Sequence, residues 1–259
     1  FSVTNSLVIN YPEIAAQWHP TKNGNWRVDD VKIGTQKGAW WKCPDGPDHE
    51  WMTNIDMRTK QGTGCPYCAG KKTSVTNSIA SLFPNLIEEW HPTKNGEKTP
   101  RDFPAGSNRK VWWKCKKGPD HEWNATIQTR TVREFGCPFC SNRQLSVTNS
   151  LQALNPTIAS QWHPTRNGNL SPNDVIGGGR RRAWWKCDKG PDHEWEGDIG
   201  ERSRNTSGCP FCENLRLSVT NSLQAVNPSL AKEWHPTKNG DLTPSDLVFG
   251  SARKVWWQC

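Results

Sequence analysis

Apolar positions along the chain change period in a recurring order, helix-like and then strand-like. Ile14 and Trp18, Leu86 and Trp90, Ile158 and Trp162, and Leu230 and Trp234 lie four apart. That spacing puts each pair on one helical face. Asn155-Pro156 and Asn227-Pro228 read as an N-cap followed by proline at the first helical position. The His19-Pro20 step and the Asn23-Gly24 turn, with their counterparts, then end the helix. A short helical turn is expected at Thr99-Pro100-Arg101-Asp102, Ser171-Pro172-Asn173-Asp174 and Thr243-Pro244-Ser245-Asp246. There Ser or Thr caps and Asp suits the first turn. Arg27-Val28-Asp29-Asp30 holds that place with a weaker cap. The period then drops to two. Val111-Trp112-Trp113-Lys114-Cys115, the turn Gly118-Pro119-Asp120 and His121-Glu122-Trp123 predict a β-hairpin. Alternation puts His121, Trp123 and Ile127 on one face, as it does His49, Trp51 and Ile55, and His193, Trp195 and Ile199.

The pattern is a strict internal repeat. Trp-His recurs at Trp18, Trp90, Trp162 and Trp234, always 72 residues on, and Val-Thr-Asn-Ser recurs at Val3, Val75, Val147 and Val219. The units are 1–72, 73–144, 145–216 and a shorter fourth, 217–259, which stops at the first cysteine of its unit. The chain therefore reads as a window on a longer array. Composition agrees with small modules. Hydrophobic residues make up 33%, about 41% with Gly counted, below the usual 45–50% apolar share. Trp is the exception, at 16 against 7 Phe and 2 Tyr. No apolar run approaches the roughly 18 residues of a membrane span, and no secretory apolar core is present. A membrane protein, a collagen-like chain and one large globular enzyme are poor readings. The expected fold class is α+β, a linear array of small modules joined across Lys71–Thr73, Arg143–Leu145 and Leu215–Leu217.

The cysteines follow the same register. Each complete unit carries Cys-x5-His-x15-Cys-x2-Cys: Cys43, His49, Cys65 and Cys68; Cys115, His121, Cys137 and Cys140; Cys187, His193, Cys209 and Cys212. Three sulfurs and one imidazole nitrogen suit tetrahedral Zn2+ in softness and number, and no open position is implied. A structural site of this kind would staple a module too small to fold on its own core. Disulfides fit badly, because three cysteines per unit leave one thiol over. The sequons at Asn124, Asn169 and Asn205 fall out of register and give secretion no support. Two histidines per unit compete for the fourth ligand position. His49, His121 and His193 are favoured because the strand pattern places them on the ligand-bearing hairpin, whereas His19, His91, His163 and His235 stand ahead of proline, where capping or packing accounts for them.

The aromatic and basic residues bear on partners. Trp18, Trp41 and Trp51 read as a mini-core around the metal. Trp40, Trp112, Trp184 and Trp256 point the other way on the strand, as candidate exposed platforms or as cover for the helical half. Basic residues gather just before each Trp pair: Lys37; Arg109 and Lys110; Arg181 and Arg182; Arg253 and Lys254. They could contact phosphates or protect an edge strand with charge. The formal net charge is +8. Each zinc held by three thiolates and a neutral His contributes −1, so three centres bring this to about +5. The excess is uneven and centred on the second repeat.

These motifs resemble a zinc-ribbon, treble-clef-like repeat family of unknown function. The resemblance is carried by Ala231-Lys232-Glu233-Trp234-His235-Pro236, Asn239-Gly240, Lys254-Val255-Trp256-Trp257-Gln258-Cys259, Gly190-Pro191-Asp192-His193-Glu194-Trp195 and Gly208-Cys209-Pro210-Phe211-Cys212. It covers essentially the whole chain. It implies that the ligands are the strand Cys, the His of His-Glu-Trp and the Cys-Pro-x-Cys pair. It also implies modules that occur in tandem in bacteria, large DNA viruses and algae or plants, sometimes beside endonuclease domains. Here Pro-Asp lengthens the loop before each such His, the fourth repeat lacks three ligands, and no nuclease-like carboxylate cluster accompanies the repeats.

The functional expectation is a non-enzymatic array with three Zn2+ sites, one per complete repeat, presenting basic and Trp-rich surfaces to an extended partner. Nucleic acid is the first reading of that partner, and a large protein assembly that the chain bridges as a scaffold is the alternative. No small-molecule substrate is expected. Thiols spared for metal point to a reducing intracellular compartment such as cytosol, nucleus or an organelle matrix.

Overall fold

The computed structural model describes residues 3–204 and 208–259, so the Asn205 sequon lies outside the described residues. The chain divides into two compact units, residues 1–137 and 138–259. Each unit is built from the same sequence of short elements. The period-two stretches form three separate two-stranded antiparallel hairpins: β1 (Gly38–Lys42) with β2 (Glu50–Asn54), β3 (Lys110–Lys114) with β4 (Glu122–Thr126), and β5 (Arg182–Lys186) with β6 (Glu194–Asp198). The register sets Trp41 opposite Trp51, Trp113 opposite Trp123 and Trp185 opposite Trp195. All six indoles are buried, and Trp41, Trp113 and Trp185 are completely so. In the first repeat they pack with Leu7, Val31, Ala39, Ile55, Cys43 and Cys65, all from that repeat. The third repeat forms a matching cluster around Trp185. Each aromatic pair thus does the work that aliphatic residues do in a larger core.

Helices flank each hairpin, and none exceeds a turn or two. Pro12–Ala15, Pro156–Ala159 and Pro228–Ala231 are α-helical, while Pro84–Glu89 is a 3-10 helix. Proline opens each one, as expected at Pro156 and Pro228, and Asn227 caps its helix through its side chain. The Asn155 side chain makes no such bond.

The expected helical pairing of Ile14 with Trp18 is corrected here, because the helix stops before the tryptophan. Trp18, Trp90, Trp162 and Trp234 instead form isolated antiparallel bridges to Trp41, Trp113, Trp185 and Trp257. Lys42 N–H donates to Gln17 O at 2.7 Å and His19 N–H to Trp40 O at 3.0 Å. Pairing with the hairpin edge satisfies more backbone than one further helical turn would, and the proline after His19 already disfavours helix there. The outer edge of β1 is then closed by a side chain. Asn23 Oδ1 accepts from Trp40 N–H and Asn23 Nδ2 donates to Trp40 O, and Asn95 and Asn167 repeat this with Trp112 and Trp184.

Two further elements go beyond the sequence reading. Helices Ile55–Thr59, Ile127–Thr131 and Ile199–Arg204 follow the second strand directly, so Ile127 opens a helix instead of extending the strand. Its side chain is still wholly buried, as the alternation required. The Val-Thr-Asn-Ser phrase leads into helices Ile79–Leu82, Leu151–Leu154 and Leu223–Val226, whose Ser78, Ser150 and Ser222 side chains accept N-cap bonds. The expected turns at Pro100–Asp102 and Pro244–Asp246 carry full capping boxes. Among the described residues no helix is long and apolar enough to cross a membrane.

Candidate metal centre

The hairpin and the Cys-Pro-aromatic-Cys turn converge at one end of each module. Cys43 leaves β1 and His49 enters β2, tied by Cys43 N–H donating to His49 O at 3.0 Å. The turn after Cys65 is closed by Ala69 N–H to Cys65 O and Lys71 N–H to Pro66 O. Gly70 ends it at φ 65°, a left-handed position that Asn142 and Asn214 fill in the later repeats. The four donor atoms of Cys43, His49, Cys65 and Cys68 lie within 4.8 Å of one another, and so do those of Cys187, His193, Cys209 and Cys212. In the second repeat Cys115, His121 and Cys137 fall in the first compact unit, with Cys140 three residues further along.

The distances discriminate between chemistries. A tetrahedral ion with Zn–S near 2.3 Å and Zn–N near 2.0–2.1 Å requires S···S edges of about 3.8 Å and S···N edges of about 3.6 Å. The first site has Cys43 Sγ to Cys68 Sγ at 3.6 Å and Cys68 and Cys65 Sγ to His49 Nδ1 at 3.5 and 3.7 Å. The third site has 3.8 Å for the sulfur pair and 3.6 Å for both sulfur–nitrogen edges. No disulfide joins any of the ten cysteines. Burial pushes Cys43 above the ordinary thiol value, and burial with the neighbouring thiols pushes Cys68 above it and Cys212 up to about 12. Crowded sulfurs of this kind ionise together only around a positive ion. Donor number, softness and edge lengths all fit Zn2+.

The ligand histidine ring is closely packed. Tyr67 stacks on His49 at 5.1 Å and Phe211 on His193 at 5.0 Å, within 14° of parallel. A glycine also lies against the ring. A Cβ built on Gly46, Gly118 or Gly190 would fall 2.5 Å from an atom of His49, His121 or His193. The competing histidines have another task. His19 Nδ1 accepts from Thr21 and Lys22 N–H at 3.2 and 3.1 Å, and Nε2 faces Glu50 at 3.2 Å. His91 and His163 repeat the arrangement with Glu122 and Glu194.

Repeat-wide matches follow the same units. The model of a family described as "Probable Treble clef zinc finger domain" matches residues 14–71, 86–143, 158–215 and 230–259, well over half of the chain. The chain belongs to this treble clef zinc finger family. It is a zinc-binding tandem repeat with three Cys3His sites, one in each of its first three repeats. No curated protein matches the chain.

The remaining expected site residues fall in varied settings. Arg109 and Lys110 are exposed and line one groove of the first unit with Trp112. Lys37 lies with its ammonium 4.0 Å from the Trp26 ring. Arg182 pairs with Glu196 at 3.3 Å, and Arg181, Arg253 and Lys254 are exposed. Trp40, Trp112 and Trp184 are not the open platforms the alternation allowed. A cation stands over each ring, from Lys22, Lys94 and Arg166 at 4.7, 4.5 and 4.5 Å. Glu50, Glu122 and Glu194 anchor those cations. Lys22, then His19, holds the Glu50 carboxyl down to about 2, and Lys94 and Lys114 do the same for Glu122.

One functional group went unnoticed in the sequence. Arg58, Arg130 and Arg202 are buried, each sandwiched between the two core tryptophans at 4.9–5.3 Å. Burial lowers the pKa of each guanidinium, and thiolates at Cys65 and Cys43 oppose that for Arg58. A fixed positive charge beside a centre of net −1 is the compensation such a site requires. Its signal was available, since these arginines also recur every 72 residues.

Proposed function

We propose that the chain is a non-enzymatic zinc array that binds nucleic acid along its basic surfaces. The observation that carries this reading is a groove of about 650 Å³ in the first unit, lined by Lys71, Lys94, Lys98, Arg109, Lys110 and Trp112. Its one carboxylate, Asp102, is spent on the Thr99 backbone and hydroxyl, leaving the cations in excess. Convergent cations suit the phosphates of a nucleic-acid backbone. Zinc is structural in this reading, because four protein donors fill a tetrahedral ion. Cysteines committed to metal and not to disulfides favour a reducing intracellular compartment.

The test is a titration of the zinc-loaded chain with single-stranded and duplex oligonucleotides across salt. Log affinity should fall linearly with log salt, and replacing Arg109 and Lys110 by Gln should flatten the slope by about one unit each. Absent or salt-insensitive binding contradicts the proposal. A second reading, a scaffold bridging a protein assembly, is supported by recurring exposed apolar pairs: Val75 with Leu82, Val147 with Leu154, and Val219 with Val226.

A further inference from the structure

Each described metal centre continues past its four donors into the repeat that follows. His49 presents Nδ1 to the sulfurs and Nε2 to the far side of the ring. There Nε2 lies 2.9 Å from Ser74 Oγ and 2.8 Å from Thr76 Oγ1, both belonging to the next repeat. His193 meets Ser218 and Thr220 in the same way, at 2.9 and 2.7 Å. The direction of the proton follows from the serine's other bond. Ser74 Oγ–H donates to Asp48 Oδ1 at 2.7 Å, and Ser218 Oγ–H to Asp192 Oδ1 at 2.8 Å. With its hydrogen committed to the carboxylate, the serine oxygen can only accept from the ring, so Nε2 carries the proton and Nδ1 offers its lone pair to the metal. Asp48 is fixed in turn by Val75 N–H at 3.0 Å, and Asp192 by Val219 N–H at 3.0 Å. His49, His193, Ser74 and Ser218 are all at least 95% buried, so water does not substitute for these contacts.

The clamping segment is tied to both repeats. Asn77 donates back to Tyr67 O and Lys72 O, while its carbonyl accepts from Ala105 N–H at 2.9 Å. Asn221 bridges Phe211 O and Arg216 O to Phe249 N–H in the same manner. Asp120, Ser146 and Thr148 stand at the corresponding sequence positions for His121.

We propose that the first and third metal centres are two-repeat sites, with the metal held by one repeat and the histidine's outer nitrogen held by the Ser/Thr pair of the next. Metal loading and the docking of the following repeat are then a single coupled equilibrium, running in one direction along the chain. Outer partners of a ligand histidine fix its tautomer and commonly account for 10–100-fold in metal affinity.

The experiment uses the full chain loaded with cadmium-113, in which each site gives its own NMR resonance, together with chelator competition. The double substitution Ser74→Ala with Thr76→Val should weaken the first site about 10–100-fold and leave the third unchanged. Ser218→Ala with Thr220→Val should do the reverse, and Thr76→Ser, which keeps the hydroxyl, should restore near-native affinity. Disabling the first site with Cys65→Ser should in turn speed amide exchange at residues 74–79 and not at 218–223. Unchanged first-site affinity in the Ser74/Thr76 variant, or exchange at 74–79 that ignores metal occupancy, overturns the proposal. The unsubstituted zinc protein gives an independent test should a variant fail to fold. The His49 and His193 Nε2 protons should exchange slowly with solvent, and exchange as fast as that of a free imidazole would overturn the proposal equally.

Discussion

Gly46→Ala tests how tightly the metal site is built. The new Cβ would sit 2.5 Å from His49 Nε2, 2.6 Å from Cδ2 and 2.9 Å from Cε1, where ordinary contact begins at 3.4 Å. Relief requires the ring to retreat by roughly 1 Å. Tyr67, stacked on the same ring at 5.1 Å and 10°, limits its freedom to retreat. Metal–ligand bonds tolerate only about 0.2 Å, so the ring cannot both avoid the methyl and keep its ligand position. Overpacking of this kind costs about 1–3 kcal/mol. Expressed at the metal, that is roughly a 5- to 150-fold loss of first-site affinity. The assay is chelator competition on the full chain, with sites resolved by cadmium-113 NMR and thermal unfolding run in parallel. Gly24→Ala is the control. Gly24 has φ 58° and nothing within 4 Å of a Cβ, so the substitution strains the backbone without touching the site. It should cost about 1–2 kcal/mol of stability and leave metal affinity in place. The reasoning is refuted if Gly46→Ala binds metal at the first site as tightly as the native chain, or if Gly24→Ala weakens that site as much.

Other outcomes follow from the same contacts. Trp113 is fully buried, so Trp113→Ala should remove about 3–5 kcal/mol and unfold the second repeat, seen as loss of amide protection over residues 110–131. Arg58→Ala removes a guanidinium stacked between Trp41 and Trp51 and should destabilise the first repeat by about 2 kcal/mol or more in chemical denaturation. Acid dependence separates metal from carboxylates. Glu50 and Glu122 are held near 2, below their ordinary 4.5, so their contribution is present above 4.5 and is lost only as pH falls from there toward 2. Zinc release is instead governed by protons competing for the ligand thiolates and histidine. Glu122→Gln should therefore weaken the fold at neutral pH and leave the midpoint of acid zinc release unmoved; a midpoint that shifts with it contradicts this separation.

The metal site was legible in the sequence because its signals are local in spacing and repeated in register. Cys43, His49, Cys65 and Cys68 recur unit by unit, and period-two alternation put His49, Trp51 and Ile55 on one side. The hairpins form with Trp41 facing Trp51, as that alternation required. What escaped was set by partners distant along the chain. Trp18 shares helical spacing with Ile14, yet pairing with Trp41 draws it into an extended bridge. Trp40 alternates outward as expected, but Lys22, anchored by Glu50, covers its ring. The Ser74 and Thr76 hydroxyls reach His49 across a repeat boundary, and no helical or strand period connects residues 25 positions apart. Periodicity also ranks residues only by polarity. It therefore gave no reason to single out Arg58, although two indoles and a metal–thiolate centre make its buried position favourable.

The central claim is that three zinc ions, each held by three sulfurs and one nitrogen, organise this chain. The most direct measurement is metal content and X-ray absorption on the purified, reduced protein. The account predicts three zinc ions per chain, in shells of three sulfurs near 2.3 Å and one nitrogen near 2.0–2.1 Å, and loss of hairpin amide protection on chelation. Saturation below three ions, cysteines paired as disulfides, or protection that survives complete metal removal would contradict it.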